Sequence, residues 1–152
     1  MENLGTNLTS PLLHFSHMKT LTYLTQYLLA VDRNNPRVAD LYQAFHPGVL
    51  QALKRIVDEA HAEGKPVSVC GELAGNPMGA VLLMAMGYDI LSMNATNLPK
   101  VKSVLRGISR EWADTLLNEV ITMESGEVIA STLQLMLEKA GFGRIIGPNV
   151  TG

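Results

Sequence analysis

The chain's single cysteine stands in "VSVCGELAG", Val67 to Gly75, where Val67–Cys70 lead straight into Gly71 and Glu72. A thiol with an ordinary pKa near ~8.5 is protonated at neutral pH and can give that proton to a reacting atom. Ligands of parallel α/β proteins collect beyond the carboxyl ends of the strands, which is where Cys70 falls if "VSVC" is a strand. Gly71 has no side chain to keep a ligand away from the backbone. The competing reading is a core cysteine, because free cysteines are among the most buried residue types. Arg33, in "DRNN", offers a planar guanidinium suited to bidentate capture of phosphate or carboxylate, with Asn34 beside it. Equally, Arg33 could pair with Asp32, and Asn34 and Asn35 could be turn residues. Glu72 could orient a backbone, bind a metal or start a helix; Asn94 could face the same mouth or shape a turn.

Other chemistries find less support. His14, His17, His46 and His61 do not share metal-ligand spacing, and His61 in "EAHAEG" reads as a solvent-facing helix position. One cysteine makes neither an internal disulfide nor a zinc site. "GELAG" lacks the spacing of a phosphate-binding glycine loop. A net charge of -2 points to neither nucleic acid nor anionic lipid as a partner. No apolar run approaches the ~18 residues of a membrane span. "MENLGTNLTS" lacks the basic-then-apolar order of a secretory leader, so a cytoplasmic location is expected. At 152 residues, 47% hydrophobic and 17% charged, the chain suits one well-packed domain.

The elements that would position Cys70 and Arg33 follow from periodicity and punctuation. "TYLTQYLLAV" reads as a short helix and "RVADLYQAF" as another. From Pro47, the residues Val49, Leu50, Leu53, Ile56, Val57 and Ala60 form one apolar helical stripe, closed by Gly64 and Pro66. "VSVC" is a short strand. Asn76-Pro77 caps an apolar helix that stops at Gly87, and "DILSM" is a second strand. Asn97, Ser109 and Ser125 are expected to cap three further helices, the last ending at Gly141. Short apolar strands joined by helices imply parallel pairing in an α/β protein.

Three stretches in order resemble one family. "LTQYLLAVDRNNPRVADLYQAFHPGVL", "HAEGKPVSVCGELAGNP" and "LLMAMGYDILSMNATNLPKVK" are similar to the C-terminal part of enzyme I, the phosphoenolpyruvate–protein phosphotransferase of the bacterial phosphotransferase system. The likeness runs from Leu24 to Arg106, and the tail "ISREWADTLLNEVITMESGEVIASTLQLMLEKAG" resembles the nitrogen-related branch. The resemblance implies a (β/α)8 barrel that binds phosphoenolpyruvate and Mg²⁺. It implies phosphoryl transfer to a histidine on a swivelling domain and then to a small carrier protein. It implies that Cys70 protonates the methylene carbon of the enolate, that Arg33 helps hold the phosphate, and that Asn34 and Gly71 contribute to the same substrate site. It also implies a homo-oligomer.

The chain departs from that pattern. A barrel of this kind takes ~250 residues, so the expected fold is a partial, TIM-like, helix-rich α/β structure: the last βα units plus C-terminal helices. Residues 1–23 read as a divergent segment, 24–146 as the barrel part and 147–152 as a frayed tail. Where the family has an asparagine for substrate and an aspartate for Mg²⁺, direct register places Thr22 and Tyr23; Asn7 in "GTNLT" is a displaced candidate with no aspartate after it. The chain alone is therefore expected to hold Mg²⁺–phosphoenolpyruvate loosely and not to transfer phosphate. The alternative function is a non-catalytic dimerisation or regulatory remnant of the domain.

Overall fold

The computed structural model describes residues 20–30 and 43–147, with side chains from residue 24 onward in the first stretch. The elements are α1 (Thr20–Leu29), α2 (Pro47–Ala62), β1 (Ser68–Cys70), α3 (Glu72–Gly75), α4 (Pro77–Met86), β2 (Ile90–Ser92), α5 (Leu98–Gly107), α6 (Arg110–Val120), α7 (Gly126–Lys139) and α8 (Gly143–Ile146). This is a helix-rich α/β fold whose described strands form one parallel pair, with Ser68 opposite Ile90, Val69 opposite Leu91 and Cys70 opposite Ser92. A closed barrel is not visible among the described residues.

Helix α4 sits at the centre because its sequence, PMGAVLLMAM, has no polar face to give to water. Val81, Leu82 and Leu83 are fully buried, each removal from water stabilising by about 1.5–3 kcal/mol. Helices α2, α3, α5, α6, α7 and α8 all pack on it. Each brings one stripe where its length allows: Val49, Leu50, Leu53 and Val57 from α2, Leu116 and Val120 from α6, and Ile129, Leu133 and Leu137 from α7. Ile56, read as part of the α2 stripe, is only half-buried.

Three of the expected side-chain caps form. Asn76 Oδ1 accepts from Met78 N–H at 2.9 Å and Gly79 N–H at 3.4 Å. Ser109 Oγ accepts from Trp112 N–H, and Ser125 Oγ from Val128 N–H. Asn97 differs: its backbone is already helical and its side chain makes no cap bond. Its amide lies over Gly75 instead, 2.8 Å from where a Cβ would stand. His46 caps α2, Nδ1 accepting from Gly48 N–H at 3.1 Å. Gly64, Gly87 and Gly141 end their helices at φ +66, +105 and +93.

Other expectations shift. The helix read over Arg37–Phe45 lies mostly outside the described residues, and its described end, Gln43 to His46, is a turn closed by His46 N–H donating to Gln43 O. Helices α3 and α8 are single turns that the sequence reading did not contain. The second strand is shorter than "DILSM" and largely exposed, Ile90 at 54 %. Of the tail read as frayed, only Gly147 is described.

Candidate functional site

Cys70 ends β1, as a ligand-facing thiol requires, and it is half-buried. The next residue turns the chain. Gly71 takes φ 126 and ψ -169, a conformation that L side chains essentially do not enter, and it is the N-cap residue of α3. The glycine is thus demanded by the backbone alone, before any ligand is considered. Its turn lets Glu72 open α3 as an exposed carboxylate in the first helical turn, while Leu73, Ala74 and Gly75 go into the core. The site is anchored by buried residues on one side of the turn and open to solvent on the other.

The neighbouring strand brings Ser92 to the same end, opposite Cys70. Asn94 shapes a turn: its carbonyl accepts from Asn97 N–H at 3.0 Å and its Oδ1 from Thr96 Oγ1 at 3.4 Å. Helix α1 packs against β1 and α3, so the chain enters the Arg33 segment from beside the Cys70–Gly71 turn. It leaves α1 through Ala30, a non-glycine residue at φ 53. Arg33 and Asn34 lie outside the described residues, as do Asn7, His14 and His17; the backbones of Thr22 and Tyr23 belong to α1.

Among the described residues no three His, Cys, Asp or Glu side chains come together as a metal site. No described helix is long and apolar enough to cross a membrane.

Sequence reasoning missed one polar cluster. His61 is exposed, as expected, but its Nε2 lies 3.0 Å from Asp89 Oδ2, and Val67 N–H donates to the same oxygen at 2.7 Å. The imidazole hydrogen bond, then the amide, hold the Asp89 carboxyl below the usual range. This carboxylate ties the end of α2 to both strands. Pairing across 28 positions leaves no local sequence signal.

The family pattern "PEP-utilising enzyme, PEP-binding domain" matches residues 22–110. The chain belongs to this family. It is 42% identical over 123 residues to the Salmonella typhimurium phosphoenolpyruvate-dependent phosphotransferase system protein, covering 81% of this chain and 16% of that one. It is 41% identical over 114 residues to phosphoenolpyruvate-protein phosphotransferase of Haemophilus influenzae, covering 72% and 20%. Multiphosphoryl transfer protein 1 of Escherichia coli is 44% identical over 110 residues, 72% of this chain and 13% of that protein. The chain thus spans a fifth or less of the length of these relatives. The family match holds α1 from its third residue through α5 and the first residue of α6; the rest of α6 to α8 lies beyond it and packs on α4.

Proposed function

We propose that this chain is the substrate-binding, proton-donating part of a phosphoenolpyruvate–protein phosphotransferase of the nitrogen-related branch, part of a (β/α)8 barrel and cytoplasmic. The observation that carries the reading is the thiol of Cys70 at the carboxyl end of β1, followed by the glycine-only turn at Gly71, within the matched PEP-binding region. In the proposed step the P–O bond of phosphoenolpyruvate breaks and the phosphoryl group goes to a histidine outside this chain, then to a carrier protein. The enolate of pyruvate stays behind. Cys70 gives its Sγ proton to the methylene carbon, which becomes the methyl of pyruvate, and the thiolate regains a proton from water. Arg33 clamps the phosphate bidentately, Asn34 adds a polar contact, and the bare Gly71 backbone lets the substrate approach. Mg²⁺ would neutralise phosphate charge, and with Tyr23 at the aspartate register this chain holds it weakly.

The test is an amide-shift titration of the chain with millimolar phosphoenolpyruvate and Mg²⁺, paired with light scattering. The expected result is weak, saturable change at Cys70, Gly71 and Glu72 that disappears in Arg33→Ala. No change at these residues, together with a stable dimer, selects the alternative, a non-catalytic dimerisation remnant. Phosphoryl transfer to a carrier protein by this chain alone would overturn its assignment as an incomplete enzyme.

A further inference from the structure

The net charge of -2 conceals an uneven surface. On α2 and α6 cations stand four residues before a carboxylate: Lys54 before Asp58, Arg55 before Glu59 and Arg110 before Asp114, all in contact. On α5 the pattern differs. Four residues after Lys102 comes Arg106, a second cation, with Ser103 on the same face. Helix α5 carries no acidic residue, and neither do α4 or α8, which pack against it. Among the described residues neither Lys102 nor Arg106 has an ion-pair partner.

Pro99, Lys102, Ser103, Arg106 and Gly107 line an open depression of about 550 Å³. The Phe142 ring closes its Gly107 end, with Cζ 2.7 Å from where a Cβ would be. Like charges four residues apart destabilise a helix by a few tenths of a kcal/mol, and the negative helix end accounts for Arg106 in the last turn but not for Lys102 in mid-helix.

We propose that this depression is an anion site for a small phosphate-bearing ligand, separate from the Cys70 turn. Lys102 supplies a point charge, Arg106 a planar fork and Ser103 a hydroxyl. Three donors of different geometry suit a tetrahedral oxyanion better than a flat carboxylate. Inorganic phosphate is the probe, titrated into the full chain at constant ionic strength while amide shifts are followed, with acetate in a parallel series. The expected result is saturable change confined to residues 99–107, with phosphate bound more tightly than acetate. Lys102→Gln with Arg106→Gln should weaken phosphate binding at least ~10-fold, from the loss of charge-assisted hydrogen bonds. Lys102→Gln alone, at an exposed position, should weaken it in the same direction and serves if the double variant loses its fold. Non-saturating change, equal binding of acetate, or an unaltered affinity in the variants overturns the site.

Discussion

Replacing Gly71 by alanine tests whether the turn after Cys70 is held in the conformation described. At φ 126 and ψ -169 a Cβ collides with its own backbone surroundings, a strain of about 1–3 kcal/mol. Urea slopes for domains of this size are ~1–3 kcal/mol per molar, so the midpoint should fall by roughly 0.5–1.5 M. Gly64→Ala is the control: Gly64 sits at φ +66 with nothing within 4 Å of its Cβ position, so it loses only the left-handed backbone preference, about 1–2 kcal/mol. A second readout separates strain at the site from strain in general. Alkylation of Cys70 by iodoacetamide should change in rate in Gly71→Ala, because the chain from Cys70 to Glu72 must take another path, and should not change in Gly64→Ala. A Gly71→Ala unfolding free energy within ~0.5 kcal/mol of the parent, the scatter of ordinary surface substitutions, would refute strain at this turn.

Gly79→Ala should be more damaging, since its Cβ would stand 2.3 Å from Leu73 O and 2.5 Å from Leu73 Cδ1, and backbone cannot yield as a side chain does; a loss of ~3 kcal/mol is expected in urea unfolding, and a near-neutral result would show that α3 and α4 pack otherwise. The lowered Asp89 pKa means that its bonds to His61 and Val67 stabilise fully above the ordinary carboxylate pKa, about 3.9, and are lost as pH falls through its lower folded value. Asp89→Asn should therefore unfold earlier than the parent at neutral pH, with the gap closing in acid; a gap constant from neutral pH to acid contradicts this. Burial pushes the Tyr88 hydroxyl well up, and it donates to Leu53 O at 3.1 Å. Its contribution is complete below the ordinary tyrosine pKa near ~10 and fades as pH climbs beyond. Tyr88→Phe should cost ~1 kcal/mol at neutral pH and remove that alkaline dependence, measured by urea midpoints on either side of pH ~10; an unchanged alkaline profile counts against it.

Local chemistry explains which parts of the fold were legible. Asn76-Pro77 and the closing Gly87 mark both ends of α4 within the chain itself, and both ends form as read. The stripes of α6 and α7 likewise repeat at helical spacing and are buried. Where position was decided at a distance, the reading fell short. Asn97 has the residue type of a cap, yet its amide goes to Gly75, which lies 22 positions away and is reached only because α3 and α5 converge. Helix α3 spans too few residues, Glu72–Gly75, for any period to show. At the candidate site, Cys70 and Gly71 were legible as a strand end and a turn, whereas the φ that makes Gly71 obligatory is a property of the folded backbone.

The burial of the two strands adds one constraint on the chemistry. Successive strand residues point to opposite faces, and the parallel register puts Ser68, Cys70, Ile90 and Ser92 on one face and Val69 and Leu91 on the other. The helices cover the second face: Val69 is 5 % exposed and Leu91 packs against the same core. The first keeps Ser68, Ile90 and Ser92 exposed. Cys70 thus faces away from the helical core, which argues against a thiol retained only for packing. It also sets a condition on any proton transfer from it. A general acid delivers its proton selectively to carbon when water is kept from the reacting enolate, and on the face that carries Cys70 the residues Ser68, Ile90 and Ser92 are exposed.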